Sequence, residues 1–319
     1  MKSFIIKVLP LADFFLVPFV FLSALILKNI RKAGIKRLPL CKNILLNIGV
    51  FPIRTQYYEP QFDFRGIHNF FAKERSLPGI NWNIQGQLDS LKELTFSVEL
   101  EDIPTKKIDD LHFYFNNSSF QTGDAEYWYQ IIRSKKPKKI FEVGSGSSSL
   151  MAIKAIRKNA EENTDYKCKH VCIEPYENPW LEKTEVTVVR EKVEDVEISF
   201  FSELGEDDIL FIDSSHIIRP EGDVLFEFLQ LLPTLKKGVI VHVHDIFSPR
   251  NYLDEWLRDD VRFWNEQYLL EAFLTQNDCW KIIGSLNYLH HNHYDELKKV
   301  CPYLTPNREP GSFYLQKIA

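Results

Sequence analysis

The chain has 319 residues, of which 45% are hydrophobic and 26% charged, and its formal net charge is −5. This length and apolar content suffice to bury a sizeable core, which excludes a disordered chain. The negative charge argues against a protein that mainly binds nucleic acid, because such domains usually carry an excess of basic residues. The five cysteines lack paired spacing, so the sequence predicts neither a disulfide framework nor a structural zinc site and fits the reducing cytosol.

A hydrophobic segment begins the chain. Residues 8–27 carry one charge, Asp13, over about the twenty residues that a spanning helix needs. Pro10 and Pro18 disfavour a straight helix, and the segment lacks the cleavage site of a removable signal peptide. Five basic residues follow it, against two before it, so the rest of the chain is expected on the cytoplasmic side: Lys28, Arg31, Lys32, Lys36 and Arg37. We expect residues 1–37 to associate with the inner face of the membrane, and a buried helix of a soluble protein is the alternative.

The remainder of the chain is predicted to form a cap region and an α/β domain. Residues 38–136 show mixed patterning with aromatic clusters, and we interpret them as an N-terminal cap. Residues 137–319 alternate short β-rich runs with longer helical runs, which predicts a mainly parallel sheet covered by helices on both faces. The predicted strands are 140–143, 170–174, 186–190, 209–213, 239–244, 280–284 and 313–315. The predicted helices are 149–159, 224–232 and 264–277.

A glycine-containing turn, Gly144 to Gly146, lies between the first strand and its helix. Glycine lets the backbone turn tightly and approach a ligand closely, so the turn predicts a nucleotide-type cofactor. A dehydrogenase would have a third glycine where this chain has Ser149, which disfavours a dinucleotide. Glu174 ends the second strand, where a carboxylate binds the diol of a ribose, and it therefore indicates an adenosine-containing ligand.

Glu142, Gly144, Gly146 and Glu174 together resemble the first two motifs of the class I S-adenosylmethionine-dependent methyltransferases. The resemblance implies methyl transfer from S-adenosylmethionine and a doubly wound, seven-stranded, Rossmann-like sheet with strand order 3-2-1-4-5-7-6. It also implies further cofactor contacts from Ser145, Ser148, Val193, Glu194 and Asp213. For Val193 and Glu194, which follow the third strand, the alternative interpretation is a solvated charged turn. In the glycine turn, Ser148 replaces a glycine that is common in the family.

Three later segments, residues 208–216, 238–247 and 264–270, are similar to a bacterial group of methyltransferases associated with surface-polysaccharide biosynthesis. This resemblance extends over residues 57–319. It implies that the acceptor is a small molecule or a glycan, such as a sugar or a lipid-linked glycan.

Polar residues follow the fourth and fifth strands, which are neighbours in the family's strand order. Asp213 and His216 should therefore meet His244 and Asp245 beside the cofactor turn. Methyl transfer to a hydroxyl requires removal of its proton, which suits a histidine with a pKa near 6.5, and we favour His244 as the base over His216. His242 lies on the same strand face as His244, so one of the two can serve chemistry while the other packs.

A second mechanism uses a divalent ion such as Mg²⁺, bound by Asp213 and Asp245 with His216 or His244, to lower the pKa of the acceptor hydroxyl. Two other functions stay open: a nicotinamide-dependent oxidoreductase, disfavoured by the missing third glycine, and a non-catalytic scaffold. Outside these clusters, the three histidines at 290, 291 and 293 are interpreted as part of a polar loop, because no carboxylate stands at a firm metal-ligand spacing.

Overall fold

The structure is a computed structural model that describes residues 2–67 and 70–319, with side chains from Leu9 onward. Met1, residues 68 and 69, and the side chains of residues 2–8 lie outside the described part, and this includes Val8 of the predicted hydrophobic segment. The chain divides into two compact units, Met1–His68 and Asn69–Ala319. Residues 69–136 of the region interpreted as a cap therefore belong to the same unit as the sheet.

The first unit contains two helices, α1 (Lys2–Ala33) and α2 (Pro39–Ile48). α1 is a single helix although Pro10 and Pro18 lie inside it. An 18-residue window of its stretch Leu9–Ala33 has a mean hydropathy of 2.2, none of the stretch is buried, and it is long and apolar enough to cross a membrane. In the last turn of α1, Arg31 forms a bidentate ion pair with Glu59, with both N to O distances at 2.8 Å.

The second unit is built on one seven-stranded sheet. Its strands are β1 (Lys139–Val143), β2 (Lys169–Ile173), β3 (Thr187–Val189), β4 (Ile209–Ile212), β5 (Ile240–Val243), β6 (Trp280–Ser285) and β7 (Phe313–Lys317). The strand order is 3-2-1-4-5-7-6, which confirms the predicted order. β1 to β5 run parallel, and β7 pairs antiparallel with both β5 and β6.

Helices cover both faces of this sheet. They are α3 (Ile84–Glu93), α4 (Asp124–Lys135), α5 (Ser147–Glu162), α6 (Ile198–Phe201), α7 (Asp223–Phe226), α8 (Leu232–Thr234), α9 (Asp254–Arg258), α10 (Glu266–Leu274), α11 (Leu286–Asn292) and α12 (Tyr294–Val300). A π-helical turn, Glu227–Leu231, joins α7 to α8 within the helix predicted at 224–232.

α4 explains why residues 69–136 fold with the sheet. Trp128 in this helix is fully buried, and its ring lies 5.6 Å from that of Phe211 on β4 and 5.1 Å from that of His242 on β5. Burial of a large apolar side chain stabilises a fold by about 1.5–3 kcal/mol. Tyr127 and Tyr129 beside it are buried in the same core, so α4 forms one layer of the domain.

The segment that carries three histidines before β7 is mostly helical, and its interpretation as a polar loop was wrong. His290 and His291 lie on α11, and His293 lies at the junction with α12. Leu286 and Leu289 are fully buried, and their spacing of three residues gives α11 an apolar face against the core. This apolar spacing is too short, and too interrupted by polar residues, to predict a helix from the sequence.

Candidate active site

The cofactor turn follows β1 and touches the end of β4. Gly144 has a φ of +75°, and a Cβ atom added to it would lie 2.0 Å from the carbonyl oxygen of Asp213. The backbone N–H of Asp213 in turn donates to the carbonyl of Val143 at 2.9 Å. Only glycine fits this position, because both the positive φ and the close approach exclude a side chain.

Glu142 lies beneath the turn and lines neither of the cavities beside it. Its fully buried carboxylate accepts hydrogen bonds from the hydroxyls of Ser148, at 2.8 Å, and Ser149, at 3.1 Å, and pairs with His170 Nε2. Burial lowers the pKa of His170, but the adjacent Cys172 and Glu142 raise it to about 10. The Glu142 carboxylate therefore anchors the start of α5, and its predicted cofactor contact stays a prediction.

Glu174 follows β2 and faces the same turn. Its Oε2 accepts the backbone N–H of Ser145 at 3.3 Å, and its Oε1 accepts those of Tyr176 and Glu177 at 3.1 and 2.9 Å. Each carboxylate oxygen has more than one lone pair, so these bonds orient the group and leave acceptor capacity for hydroxyls of a ligand. The hydroxyl of Ser145 is buried and has no hydrogen-bond partner among the described residues.

Two cavities beside the turn share a wall. One, of about 450 Å³, is lined by Ser145, Gly146 and Ser148, and the other, of about 630 Å³, by Val193 and Glu194. Both cavities are lined by Gly144, Glu174, Glu177 and Asp213. The predicted cofactor residues other than Glu142 therefore border one continuous cleft at the carboxyl ends of the parallel strands, where ligands of doubly wound folds bind.

Asp213 connects this cleft to the second polar cluster. Its Oδ1 lies 3.3 Å from Nδ1 of His244 and 3.4 Å from Nε2 of His216. Asp245 lies 3.6 Å from His244 and 3.7 Å from His216. The four residues predicted to meet from β4 and β5 are thus brought together, and neighbouring imidazoles lower the pKa of the Asp213 carboxyl although burial opposes them.

Two further carboxylates surround these histidines, and neither was among the predicted site residues. Nδ1 of His216 lies 2.8 Å from Oε2 of Glu266, a fully buried residue at the start of α10. Nε2 of His244 lies 3.9 Å from Oδ2 of Asp124, the first residue of α4. Glu266 lies inside a segment already similar to known methyltransferases, but its distance of 50 residues from His216 concealed the pairing.

The surrounding charges determine the protonation of the two histidines. Burial alone would lower the pKa of His216, but Asp213, Glu266 and Asp245 raise it well above its ordinary value of 6.5. Burial likewise lowers the pKa of His244, but Asp245, Asp213 and Asp124 raise it well above 6.5. The surrounding carboxylates therefore favour the protonated form of both rings.

His242 has a different role. It is fully buried, its Nε2 lies 2.8 Å from the hydroxyl of Ser312, and its ring stacks on that of Tyr314 with centroids 4.1 Å apart. Burial lowers the pKa of His242 well below 6.5, and His244 adds to this effect, so the ring is neutral. Of the two histidines on this face of β5, the structure places His242 in the core and His244 at the site.

Asp213, His216 and Asp245 also form a group suited to a divalent cation. Each offers one ligand atom, and these atoms lie within 4.8 Å of one another. The two carboxylates are ligands that Mg²⁺ and Mn²⁺ prefer in proteins, and the imidazole is a ligand that suits Zn²⁺. The metal residues predicted from the sequence, Asp213 and Asp245, thus lie in one group.

Comparison with known proteins shows that part of the domain is similar to methyltransferases. Residues 141–246 match a family model described as a methyltransferase domain. Together with the strand order 3-2-1-4-5-7-6, this match assigns the class I methyltransferase fold that the sequence predicted. The matched residues include the glycine turn, Glu174, Asp213 and His244, so the site residues that follow β1, β2, β4 and β5 all lie inside the matched region.

One curated relative and several solved structures are similar to the chain. An uncharacterized protein of Archaeoglobus fulgidus is 32% identical over 135 residues, which cover 40% of this chain. The chain spans 59% of the length of that relative. The plantazolicin methyltransferase BpumL in complex with a triazolic desmethylPZN analog and SAH is 12% identical, with a TM-score of 0.36 over 74% of this chain and 99% of its own.

A putative protein-L-isoaspartate O-methyltransferase of Plasmodium falciparum, in complex with S-adenosyl-L-homocysteine, is 15% identical, with a TM-score of 0.27 over 50% of this chain and 75% of its own. At these TM-scores the fold assignment depends on the strand order of the sheet itself and on the family match.

Proposed function

We propose that this protein is an S-adenosylmethionine-dependent O-methyltransferase that acts on a hydroxyl of a sugar or a lipid-linked glycan. The observation that carries the proposal is the cleft in which Gly144, Glu174 and Asp213 meet at the ends of three adjacent strands, inside a region that matches a methyltransferase domain. The sugar acceptor rests on the resemblance of residues 57–319 to polysaccharide-associated methyltransferases.

The residues of the cleft fit this cofactor. Glu174 offers charged acceptors for the two hydroxyls of a ribose, and the Gly144 backbone leaves room that a side chain would fill. Val193 supplies an apolar wall in the larger cavity, where an adenine ring would lie. The unpartnered hydroxyl of Ser145 provides a hydrogen-bonding group inside the turn. When bound, S-adenosylmethionine supplies an electrophilic methyl group.

The charge balance beside the cleft favours metal assistance over a simple histidine base. Four carboxylates, those of Asp124, Asp213, Asp245 and Glu266, lie within 3.9 Å of two imidazole rings. A protonated imidazole cannot accept a proton, and two imidazoliums do not neutralise four carboxylates. A divalent ion held by Asp213, Asp245 and the deprotonated Nε2 of His216 would replace one imidazolium charge with two positive charges, and it would lower the pKa of an acceptor hydroxyl when bound.

We further propose that the first unit attaches the chain to the inner face of the membrane. The 25-residue helical stretch Leu9–Ala33 has no buried positions, and at 1.5 Å per residue it extends for about 37 Å, enough to cross a hydrocarbon core of about 30 Å. On α2, Leu40, Ile44 and Ile48 recur every four residues and are all exposed, as expected of a helix that lies in a membrane interface.

Deletion of residues 1–37 tests this attachment. The deleted chain should move from the membrane fraction to the soluble fraction of cells. An unchanged membrane fraction would contradict the anchor, and it would leave the proposed chemistry unaffected.

Calorimetry on the full chain tests the activity class. We expect S-adenosylhomocysteine to bind and NADH not to bind, whereas binding of NADH alone would support an oxidoreductase and binding of neither a non-catalytic scaffold. Incubation with labelled S-adenosylmethionine and extracts of glycan intermediates, followed by mass spectrometry, should then show a methyl group gained by a sugar. Label recovered only in another class of molecule would overturn the acceptor and keep the methyltransferase.

A further inference from the structure

A second cluster of metal-ligating side chains lies outside the candidate active site. His290 and His291 of α11 and Glu309, in the segment before β7, each offer a ligand atom, and these atoms lie within 4.8 Å of one another. Nε2 of His291 is 2.8 Å from Oε2 of Glu309. The carboxylate that the sequence pattern lacked is therefore supplied by tertiary structure, 18 residues after His291.

The helical spacing of α11 builds one polar face around this carboxylate. Asn287, His290 and His291 are related by three and four residues, so they project from the same side of the helix. The amide nitrogen of Asn287 donates to Oε2 of Glu309 at 2.9 Å and to the carbonyl of Pro310 at 3.3 Å. Asn287 thereby orients the Glu309 carboxylate through Oε2 and leaves Oε1 able to bind an ion.

The hydrogen bonding of His290 leaves one ring nitrogen ready to bind an ion. Nε2 lies 3.3 Å from the carbonyl oxygen of Pro306, which can only accept, so Nε2 carries the proton and Nδ1 keeps a lone pair. Nδ1 is buried and has no hydrogen-bond partner among the described residues. A histidine whose far nitrogen donates to a backbone carbonyl has the outer-shell arrangement of metal-binding histidines.

We propose that His290, His291 and Glu309 bind one divalent transition-metal ion, and that zinc fits best. Two imidazoles and one carboxylate are a common set of three protein ligands for zinc, which leaves a fourth position for water. Side-chain exposures of 25% for His291 and 22% for Glu309 give the ion access from solvent. The proposal rests on these ligands alone and is independent of the proposed methyl transfer.

The ion would link the segment before β7, through Glu309, to α11, through His290 and His291. This segment also reaches the candidate active site, because Gly311 and Ser312 donate their backbone N–H groups to Oδ1 of Asp124 at 2.9 and 2.8 Å. Asp124 in turn faces His244. Metal binding at Glu309 therefore stabilises the backbone that positions Asp124.

The test measures zinc retained by the full chain, purified in detergent without a histidine tag. An Asp213→Asn background removes one ligand of the partly buried candidate group at the active site, so that this group does not contribute to the measurement. We expect one equivalent of zinc after dialysis, a higher unfolding temperature with zinc, and cobalt absorption bands of nitrogen and oxygen ligands without thiolate charge transfer. His291→Gln and Glu309→Gln should each weaken zinc binding by at least about tenfold.

His293→Gln is the matched control, because it removes a histidine from the same segment but not from the cluster, and it should bind zinc as the background does. Equal zinc binding by His291→Gln and Glu309→Gln, or no zinc retained by the folded background protein, would overturn the proposal. If His291→Gln does not fold, the partly exposed Glu309→Gln and the cobalt spectrum of the background protein still decide it.

Discussion

His244 Nε2 lies 3.9 Å from Asp124 Oδ2, and within the described part of the chain both atoms are buried without a hydrogen-bond partner. The first atom belongs to the residue after β5 and the second to the first residue of α4. The other Asp124 oxygen is held by two backbone N–H groups, and Oδ2 also lies 3.7 Å from Nη2 of Arg308, so the carboxylate has a fixed position. Asp124 therefore acts on the protonation of His244 from outside the region that matches a methyltransferase domain.

Replacement of Asp124 by Asn should lower the pKa of His244, because Asp124 is one of three carboxylates that raise it against burial. The asparagine oxygen can still accept the two backbone N–H groups, so the fold should persist. NMR titration of histidine-labelled protein measures the pKa. The exposed Asp295→Asn serves as the control, and an unchanged His244 titration in Asp124→Asn would exclude this coupling.

Replacement of Gly144 by Ala should abolish binding of S-adenosylhomocysteine and lower the free energy of unfolding by at least about 1–3 kcal/mol, the cost of a strained backbone position. The added Cβ would meet the Asp213 carbonyl at 2.0 Å. Gly146→Ala is the control for stability, because Cβ would there meet no atom closer than 3.6 Å. Calorimetry and chemical denaturation measure both effects, and equal stability of the two variants would contradict the steric argument.

Replacement of Glu174 by Gln should weaken binding of S-adenosylhomocysteine by about 10- to 100-fold, since hydrogen bonds to a charged group contribute about 1.5–3 kcal/mol. Glu177 borders the same two cavities, so Glu177→Gln is a control of matched chemistry that should bind nearly as the wild type does. Calorimetry on both variants measures the difference. A larger loss in Glu177→Gln would move the ribose contact away from Glu174.

Removal of divalent ions should abolish methyl transfer, and added Mg²⁺ should restore it, because Asp213, His216 and Asp245 form the donor group beside the cleft. Asp245→Asn should lose the restoration at moderate Mg²⁺ concentrations while S-adenosylhomocysteine still binds. Label transfer from S-adenosylmethionine measures the activity. Full activity in chelator would instead favour His244 or His216 as an unassisted base.

The pair of His170 and Glu142 predicts a pH dependence of stability. The folded-state pKa of His170, about 10, exceeds the ordinary 6.5, so its contribution is fully present below about pH 6.5 and is lost as the pH rises through about 10. Near pH 6, His170→Gln should destabilise the protein by about 3–5 kcal/mol, because it leaves the buried Glu142 charge without its cation. Denaturation of both proteins between these pH values should show the difference shrinking. A constant difference would mean that His170 is neutral in the folded state.

The sequence was sufficient to predict the sheet and the polar ends of its strands. Each strand is a short β-rich run that can be recognised from neighbouring residues alone. The polar or glycine residue that follows each run could therefore be assigned to a strand end: Gly144 after β1, Glu174 after β2, Asp213 after β4 and His244 after β5. The fold then brings these positions to one edge, because parallel strands end on the same side.

The sequence did not reveal which side chains face the cleft. Glu142 belongs to the motif but lies under it, since alternation along β1 turns its carboxylate toward Ser148 and His170. α4 was also missed, because its charged residues are buried by partners that are distant in the chain. Arg133, for example, is fully buried and pairs with Glu99 and Glu162.

The sequence by itself determined the fold class, the cofactor turn and the exposed apolar helix, because these depend on local periodicity and on glycine geometry. Only the tertiary structure decided the electrostatics: it placed Asp124 and Glu266 around His244 and His216, and Glu309 beside two histidines of α11. The physical reason is that a pKa or a ligand set depends on distances of a few ångströms between side chains, and residues far apart in sequence reach those distances only when the core packs.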